Sequence, residues 1–315
     1  MTGQTRLGAL LMTYGSPTSL DDVATYMTRV RGGREPEPEL VTEFRRRYQV
    51  IGGSPLVVIT RAQADALETA LDGDVPVAAG MRFSEPTIEG ALRGLASRGV
   101  TRVAAIILSP QYSPLIMGGY GRAVDAARAA IAAEEGGREA PEVVMAGAWH
   151  REPGFIAALA GRIGEALERL PPDKRGAVPV LLTAHSLPRR IAEQEPDYLV
   201  QLEETASAIA QVAGLGPERW TFCWQSAGHE PGEWMKPDFA DLMPFLGAQG
   251  HTRVLMAPVQ FLSDHLEILY DIDIGAREQA GPAGLAFSRI ESLNTEPRFI
   301  SALAAVVRRV GSDPA

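Results

Sequence analysis

A histidine ends one of the apolar runs of this sequence. His185 stands in T-A-H-S-L-P (183–188), where Pro188 stiffens the turn and Thr183 and Ser186 can orient the ring. A lone histidine at a strand end is more often structural than functional. At the carboxyl edge of a parallel sheet, however, an imidazole can act as a base near neutral pH or bind a metal.

Carboxylates follow a later apolar run, in F-L-S-D-H-L-E-I-L-Y-D-I-D (261–273). If a helix begins near Ser263, three carboxylates share one of its faces, namely Asp264, Glu267 and Asp271. A solvated acidic face is the ordinary interpretation of this spacing. Here the helix would follow a strand predicted over 252–260, beside His185 if the two strands are neighbours. Aligned carboxylates near a histidine favour divalent-metal capture or a proton relay.

The segment F-C-W-Q-S-A-G-H-E-P-G-E-W-M-K-P-D (222–238) combines two tryptophans with glycine and proline breaks. Aromatic and methionine side chains on a loop rim suit a large, flat, apolar ligand. A surface loop with incidental tryptophans is the alternative interpretation.

Arginines are concentrated in residues 29–47, a region of positive local charge in an acidic chain. They could bind ligand carboxylates through two hydrogen bonds each, although salt bridges on a helix surface explain Arg45 and Arg46 better. Shortly afterwards, Ser54 and Pro55 are typical of the N-cap and first position of a helix. Ser54 therefore has a structural explanation before any ligand is considered.

A repeated segment links two of the candidate residues. L-L-M-T-Y-G-S-P (10–17) and L-L-T-A-H-S-L-P (181–188) align without a gap, and Tyr14 falls on the position of His185. A second pair, both of the form G-x-T-R-V, begins at residues 99 and 250. Doubly wound sheets can produce such turns independently. Together the repeats favour internal duplication, with a phenol and an imidazole facing each other across a cleft.

The elements that would position these residues alternate along the chain. Buried strands are predicted over 7–13, 75–80, 102–109, 142–147, 178–184, 219–224, 252–260 and 284–290. Helices are predicted over 19–31, 37–50, 55–72, 86–98, 119–135, 153–168, 196–213, 237–249, 264–275 and 296–310.

This alternation predicts an α/β protein of two Rossmann-like halves, each a four-stranded parallel sheet flanked by helices, with a central cleft. The proline- and charge-rich stretch 170–176 is the best linker, so the halves are predicted as 1–170 and 171–315. The last helix, 296–310, is free to pack back on the first half.

Composition excludes several classes of function. A net charge of −9 argues against nucleic acid as the main partner, and no apolar run approaches the length of a membrane span. The single cysteine, Cys223, excludes an internal disulfide and an iron–sulfur cluster held by the chain's own thiolates. With no visible signal peptide, a cytoplasmic location is expected. A dinucleotide fingerprint, a P-loop and a C-x-x-C zinc pattern are absent from the sequence.

Taken together, the motifs resemble the ferrochelatase family. The segments that carry the resemblance are T-A-H-S-L-P, the Q-S-A-G…W-x-x-P-D loop, S-D-H-L-E-x-L-Y-D, L-M-T-Y-G-S-P, Y-M-T-R-V-R-G-G-R-x-P and R-Y-Q-V-I-G-G-S-P-L. They occur in order over about residues 7–310. The version with Tyr14 looks like the soluble type of Gram-positive bacteria.

That resemblance implies insertion of Fe2+ into coproporphyrin III, giving Fe-coproporphyrin in haem biosynthesis. Protoporphyrin IX as the substrate, or a non-catalytic haem- or iron-binding carrier, are the alternatives. Fe2+ would be a substrate, and no cofactor would be permanently bound. Coproporphyrin III and Fe2+ would be the partners, together with transient contacts to neighbouring haem-pathway enzymes, and stable membrane insertion is not expected.

The resemblance also assigns roles to individual residues. It makes His185 and Glu267 the central catalytic and metal-contacting pair, with Tyr14 as a further metal contact on the opposite wall. Porphyrin binding is carried over to four positions: Arg31, Tyr48, Ser54 and Trp234. Asp271 and Asp264 would form a proton path or an outer metal site.

Three further positions depart from the pattern of the family that the chain resembles. Gly32 replaces a second arginine, Gln111 replaces a histidine, and Gly275 replaces an acidic residue four positions after Asp271. These differences affect one carboxylate contact and the outer metal site. The central pair is unchanged.

Overall fold

Two compact units make up the chain in the computed structural model, which describes residues 5–134, 139–228 and 232–312. One unit combines the residues up to Trp149 with those from Asn294 onward, and the other is His150–Leu293. This division differs from the boundary predicted at residue 170.

The first unit contains a four-stranded parallel sheet in the order β2-β1-β3-β4. Its elements are β1 (Leu7–Thr13), α1 (Val23–Val30), α2 (Pro38–Val50), α3 (Leu56–Ala70), β2 (Val77–Met81), α4 (Ile88–Ser97), β3 (Arg102–Ile107), α5 (Pro114–Ala132) and β4 (Glu142–Met145).

The second unit repeats this arrangement with the order β6-β5-β7-β8, again parallel throughout. Its elements are α6 (Pro153–Glu168), α7 (Pro172–Arg175), β5 (Val180–His185), α8 (Arg189–Ala192), α9 (Pro196–Val212), β6 (Trp220–Gln225), α10 (Phe239–Ala248), β7 (Arg253–Pro258), a π-helix (Glu267–Ala276), α11 (Arg277–Ala280) and β8 (Ala286–Arg289). The chain then returns to the first unit with α12 (Pro297–Ser312).

All eight predicted strands are confirmed, and the central strands β1 and β5 are the ones buried on both faces. In β1, six of seven residues are buried, and in β5 the first five of six are. Helices cover both faces of a parallel sheet, so a strand inside it needs no polar face.

The two central strands occupy equivalent places. β1 lies between β2 and β3, and β5 lies between β6 and β7. In each sheet the chain first adds a strand on one side of the central strand and then crosses to the other. The carboxyl end of the central strand is therefore the topological switch point, where α/β proteins bind ligands. Tyr14 directly follows β1, and His185 is the last residue of β5.

Further details of the backbone are duplicated. At the end of β2 and of β6, a backbone N–H donates to a proline carbonyl: the last residue of β2, Met81, to Pro86 at 2.7 Å, and the penultimate residue of β6, Trp224, to Pro237 at 2.9 Å. The helices that follow, α4 and α10, both end at a glycine with positive φ, whose next residue donates its N–H to the carbonyl five positions earlier. These shared details support the predicted duplication.

The second unit begins earlier than the sequence predicts because α6 belongs to it. The apolar side of this helix, which includes Phe155, Leu159 and Ile163, is buried, and the helix packs against α9. The proline-rich stretch taken as a linker instead forms the short helix α7.

The last helix completes the first unit. α12 buries one face that includes Phe299, Leu303 and Val307, and it packs against α3 and β3. The Gln63 side chain donates to the Asn294 carbonyl at 2.7 Å, which fixes the segment that leads into this helix.

Candidate active site

The His185 ring has a defined tautomer. Its Nδ1 lies 2.5 Å from the backbone carbonyl of Ser186, and a carbonyl can only accept, so Nδ1 carries a proton. In the neutral ring the lone pair is then on Nε2. The His185 N–H donates to the Gln260 side-chain carbonyl at 2.8 Å, and the Gln260 amide donates in turn to the buried Tyr198 hydroxyl.

The neighbours predicted to orient this ring anchor the backbone instead. The Thr183 hydroxyl donates to the Gln225 side-chain carbonyl at 2.5 Å, and the Ser186 hydroxyl donates to the Met235 carbonyl at 3.2 Å. These bonds tie the end of β5 to β6 and to the loop that follows β6. The ring orientation comes from the Ser186 carbonyl.

Glu267 lies beside His185, as the neighbouring strands β5 and β7 require. Its Oε1 is 3.7 Å from His185 Nε2, and its Oε2 is 3.5 Å from His265 Nε2. Burial acts to raise the pKa of this carboxyl, but the two imidazoles more than offset burial and hold the pKa at about 2. Glu267 is therefore ionised at neutral pH.

His265 is a residue that the sequence analysis passed over. It is mostly buried, and its Nδ1 is 2.9 Å from the Ser263 carbonyl. Burial lowers the pKa of this ring, but Glu267 and the Ser263 carbonyl raise it by more, so the net shift of the pKa is upward. The Phe261 ring neighbours both histidines, with centroid distances of 6.3 Å to His185 and 4.7 Å to His265. In the sequence, the position of His265 between Asp264 and Glu267 is the feature that could have marked it as a site residue.

The helix that carries Glu267 differs from the predicted α-helix. It is a π-helix that begins at Glu267, whereas the predicted helix began at Asp264, three residues earlier. Asp264 precedes the helix, where its carboxylate accepts from the Ser292 hydroxyl at 2.7 Å and from Arg289 at 3.2 Å. Glu267 and Asp271 are thus both on the π-helix, four positions apart, and Asp264 is outside it.

The loop after β6 folds onto the loop after β5. The Met235 N–H donates to the Leu187 carbonyl at 2.9 Å, and Trp234 forms a bridge with Pro188. Trp234 is half-buried, and its indole lies so close to Gly228 that a Cβ there would clash. The histidine of this loop, at position 229, falls within 229–231, outside the described residues.

At the switch point of the first unit, aromatic rings surround a guanidinium. The Tyr14 ring, 40% exposed, is 5.0 Å from Phe83 and 6.0 Å from Tyr120 between centroids. The Arg82 Cζ lies over all three rings, 4.6 Å from Phe83, 5.6 Å from Tyr120 and 5.7 Å from Tyr14. Burial, with a smaller contribution from Tyr14, raises the pKa of Tyr120 well above its usual value, so this phenol is neutral.

Arg82 is the second residue that the sequence analysis missed. Within the described residues, no carboxylate pairs with its guanidinium, which the ring faces hold by cation–π attraction. The backbone of α5 passes so close that a Cβ at Gly119 would overlap the guanidinium. A positive group held in place beside an exposed tyrosine can receive an anionic group of a ligand.

The predicted porphyrin-binding residues of the first unit have different environments. Arg31 is exposed at the end of α1, whereas Tyr48 is 5% exposed within α2. Ser54 is half-buried, and its hydroxyl accepts from the Leu56 N–H at 3.4 Å. The following helix begins at Leu56, one residue later than predicted, with Pro55 at its N-cap.

The three departures from the family pattern also have structural settings. Gly32 has φ +68°, a backbone conformation that disfavours an arginine there, and Gln111 is buried. A Cβ at Gly275 would meet only the Tyr270 carbonyl, at 3.7 Å, so a side chain would fit there.

The fold and these groups define a chelatase-like α/β enzyme. The solved structure of SirB from Bacillus subtilis with Fe3+ matches over 98% of this chain and 96% of its own, with a TM-score of 0.59 at 12% identity, which shows a shared fold. The family model for ferrochelatase matches residues 6–310. The chain belongs to the ferrochelatase family, and it is a metal-inserting chelatase.

Relatives of this family cover nearly the whole chain. A ferrochelatase of Deinococcus radiodurans is 39% identical over 100% of this chain and 99% of its own length. A coproporphyrin III ferrochelatase of Geobacillus thermodenitrificans is 37% identical over 96% of this chain and 95% of its own. Among the helices in the described ranges, none has the length and hydropathy of a membrane-spanning segment.

Proposed function

We propose that the porphyrin substrate of this ferrochelatase is coproporphyrin III. The Geobacillus relative bears that substrate in its name. Within this chain, the observation that carries the proposal is Arg82, a guanidinium held by three rings next to Tyr14. Coproporphyrin III has four propionates and protoporphyrin IX has two, so an additional arginine at the site favours the former.

His185 acts as the base that removes pyrrole protons. A porphyrin must lose two N–H protons when it gains a divalent ion. Because Nδ1 of His185 donates to a backbone carbonyl, Nε2 is the atom that accepts the two protons, one at a time, and releases the first along Glu267 and Asp271 before it takes the second. The Gln260 bond to the His185 N–H keeps the end of the strand in place while the ring changes charge.

Glu267 stabilises the positive charge that arises in the site. With its pKa held at about 2, it remains a carboxylate beside His185, where it can attract Fe2+ and stabilise the imidazolium. Asp271, four positions further along the π-helix, would continue the acidic path towards solvent. Tyr14 would be a further metal contact, and Arg31, Tyr48, Ser54 and Trp234 would bind the macrocycle.

Protoporphyrin IX is the second candidate, since the Deinococcus relative is named only as a ferrochelatase. The test is anaerobic turnover of Fe2+ with each porphyrin, followed by porphyrin absorbance. We expect a clear preference for coproporphyrin III and a larger loss of that activity than of protoporphyrin activity in Arg82→Met. Arg128→Met is the matched control, because Arg128 donates to the Pro141 carbonyl away from the site. Equal or better turnover of protoporphyrin IX would overturn the proposal.

The remaining expectations follow from this role. Fe2+ enters as a substrate, no resident cofactor is required, and the reaction takes place in the cytoplasm.

A further inference from the structure

The segment that carries Glu267 depends on contacts from elsewhere in the fold. A π-helix of ten residues is unusual, since i→i+5 bonding is found mostly as single turns. No side chain caps its first turn, where Leu266 stands at the N-cap. Tertiary contacts must therefore stabilise this geometry.

Arg289 supplies contacts of this kind. It is the last residue of β8, and its side chain is 15% exposed. Its Nε and Nη2 donate to the two carboxylate oxygens of Asp273 at 2.7 and 2.8 Å. Such a two-pronged contact fixes orientation as well as distance.

The same guanidinium also binds the segment that precedes the π-helix. Nη2 also donates to Asp264 at 3.2 Å, and Asp264 accepts from the Ser292 hydroxyl at 2.7 Å. Asp264 lies three residues before Glu267, and Asp273 lies six residues after it. One side chain from β8 is thus bonded on both sides of the carboxylate that faces His185.

We propose that Arg289 is a positioning residue for metal insertion. By joining Asp264 to Asp273, it fixes the π-helix so that Glu267 reaches His185 at 3.7 Å. Asp264 then serves this clamp and carries no protons. The inference rests on the proposed role of Glu267. A purely structural role would instead lower the amount of folded protein without changing the rate of the folded enzyme.

The test measures kcat, KM for Fe2+ and the Kd of the porphyrin in purified, folded variants. Arg289→Met and Asp273→Asn should lower kcat by about 100-fold, the effect of moving a reacting group by about 1 Å, while porphyrin Kd stays within twofold. Arg289→Lys keeps the charge but loses the two-pronged contact, so it should recover only part of the rate. Arg219→Met is the control, because Arg219 bonds the Arg175 and Val178 carbonyls at the amino end of the sheet.

A double-mutant cycle separates positioning from stability. In a Glu267→Asp background, where the carboxylate is already withdrawn, Arg289→Met should lower kcat by less than threefold more. An undiminished loss in that background, or kcat within twofold of wild type in folded Arg289→Met or Asp273→Asn, would overturn the inference. Glu267→Gln tests the role of Glu267 itself: full turnover there would refute that role, whereas a dead Glu267→Gln enzyme with fully active Arg289 variants would refute only the clamp.

Discussion

Replacing Gly119 by alanine should weaken coproporphyrin binding. Gly119 lies inside α5, where alanine is favoured over glycine by about 0.5–1 kcal/mol. Its new Cβ would lie roughly 1 Å or more inside the ordinary 3.4 Å contact distance from the Arg82 guanidinium. The guanidinium is the flexible end of a side chain, so it would move away while the helix keeps its place.

The size of the binding loss follows from the bond that is broken. A hydrogen bond between an arginine and a carboxylate contributes about 1.5–3 kcal/mol, which corresponds to about 10- to 100-fold in Kd. The displaced guanidinium also loses part of its contact with the Tyr14 ring, 5.7 Å away. Gly119→Ala should therefore bind coproporphyrin III about 10- to 100-fold more weakly, with a smaller change for protoporphyrin IX.

Gly121→Ala is the matched control for this experiment. Gly121 is in the same helix, and a Cβ there meets nothing within 4 Å. It should raise the free energy of unfolding, measured by urea denaturation, by about 0.5–1 kcal/mol and leave porphyrin affinity unchanged. Porphyrin fluorescence titration gives the Kd of each variant. Wild-type affinity for coproporphyrin III in Gly119→Ala, or an equal loss in Gly121→Ala, would refute the assignment of Arg82.

Three further substitutions test the site and the fold. His185→Ala should abolish metal insertion while porphyrin binding, measured by fluorescence, persists; substantial turnover would contradict its role as the base. Gln260→Leu leaves the His185 N–H and the buried Tyr198 hydroxyl without their partner, so kcat should fall by about 10-fold, and an unchanged kcat in a folded variant would refute this positioning. Glu68→Gln should cost about 1 kcal/mol of stability at pH 7, because Arg98 lowers the pKa of that carboxyl. A lowered folded-state pKa stabilises above the ordinary value of 4.5, so the difference between variant and wild type in urea denaturation should disappear as the pH falls through the folded-state pKa.

The strands could be predicted from sequence because their signal is local. Leu10, Leu11 and Met12 are fully buried, as an unbroken apolar run implies for a strand covered on both faces. The repeated segment likewise predicted that Tyr14 and His185 would stand at equivalent strand ends, and the two identical strand orders agree.

The π-helix could not be predicted, because its cause lies far along the chain. The spacing of apolar residues in this segment fits an α-helix as well as it fits a π-helix. The alternative bonding is stabilised by Arg289, which is sixteen residues beyond Asp273 and on another element. The sequence of residues 261–273 alone does not indicate that contact.

Arg82 and His265 were missed for different reasons. The rings around Arg82 come from three separate parts of the chain. Tyr14 follows β1, Phe83 is the residue after Arg82, and Tyr120 lies in α5, so only folding brings them together. His265 stands between two acidic residues, but the helical spacing predicted a shared face only for the carboxylates. The boundary at residue 170 relied on prolines, whereas the burial of α6 decided the division.

The position of α12 has a consequence for synthesis of the protein. Domains fold during translation in the order in which their sequences emerge. The first unit lacks Phe299, Leu303 and Val307 until the ribosome has passed the last helix, and these side chains are fully buried in its core. The second unit, His150–Leu293, contains no later residue. The unit whose sequence emerges first is therefore the one completed last, and until then the face of α3 that packs against α12 is uncovered in the nascent chain.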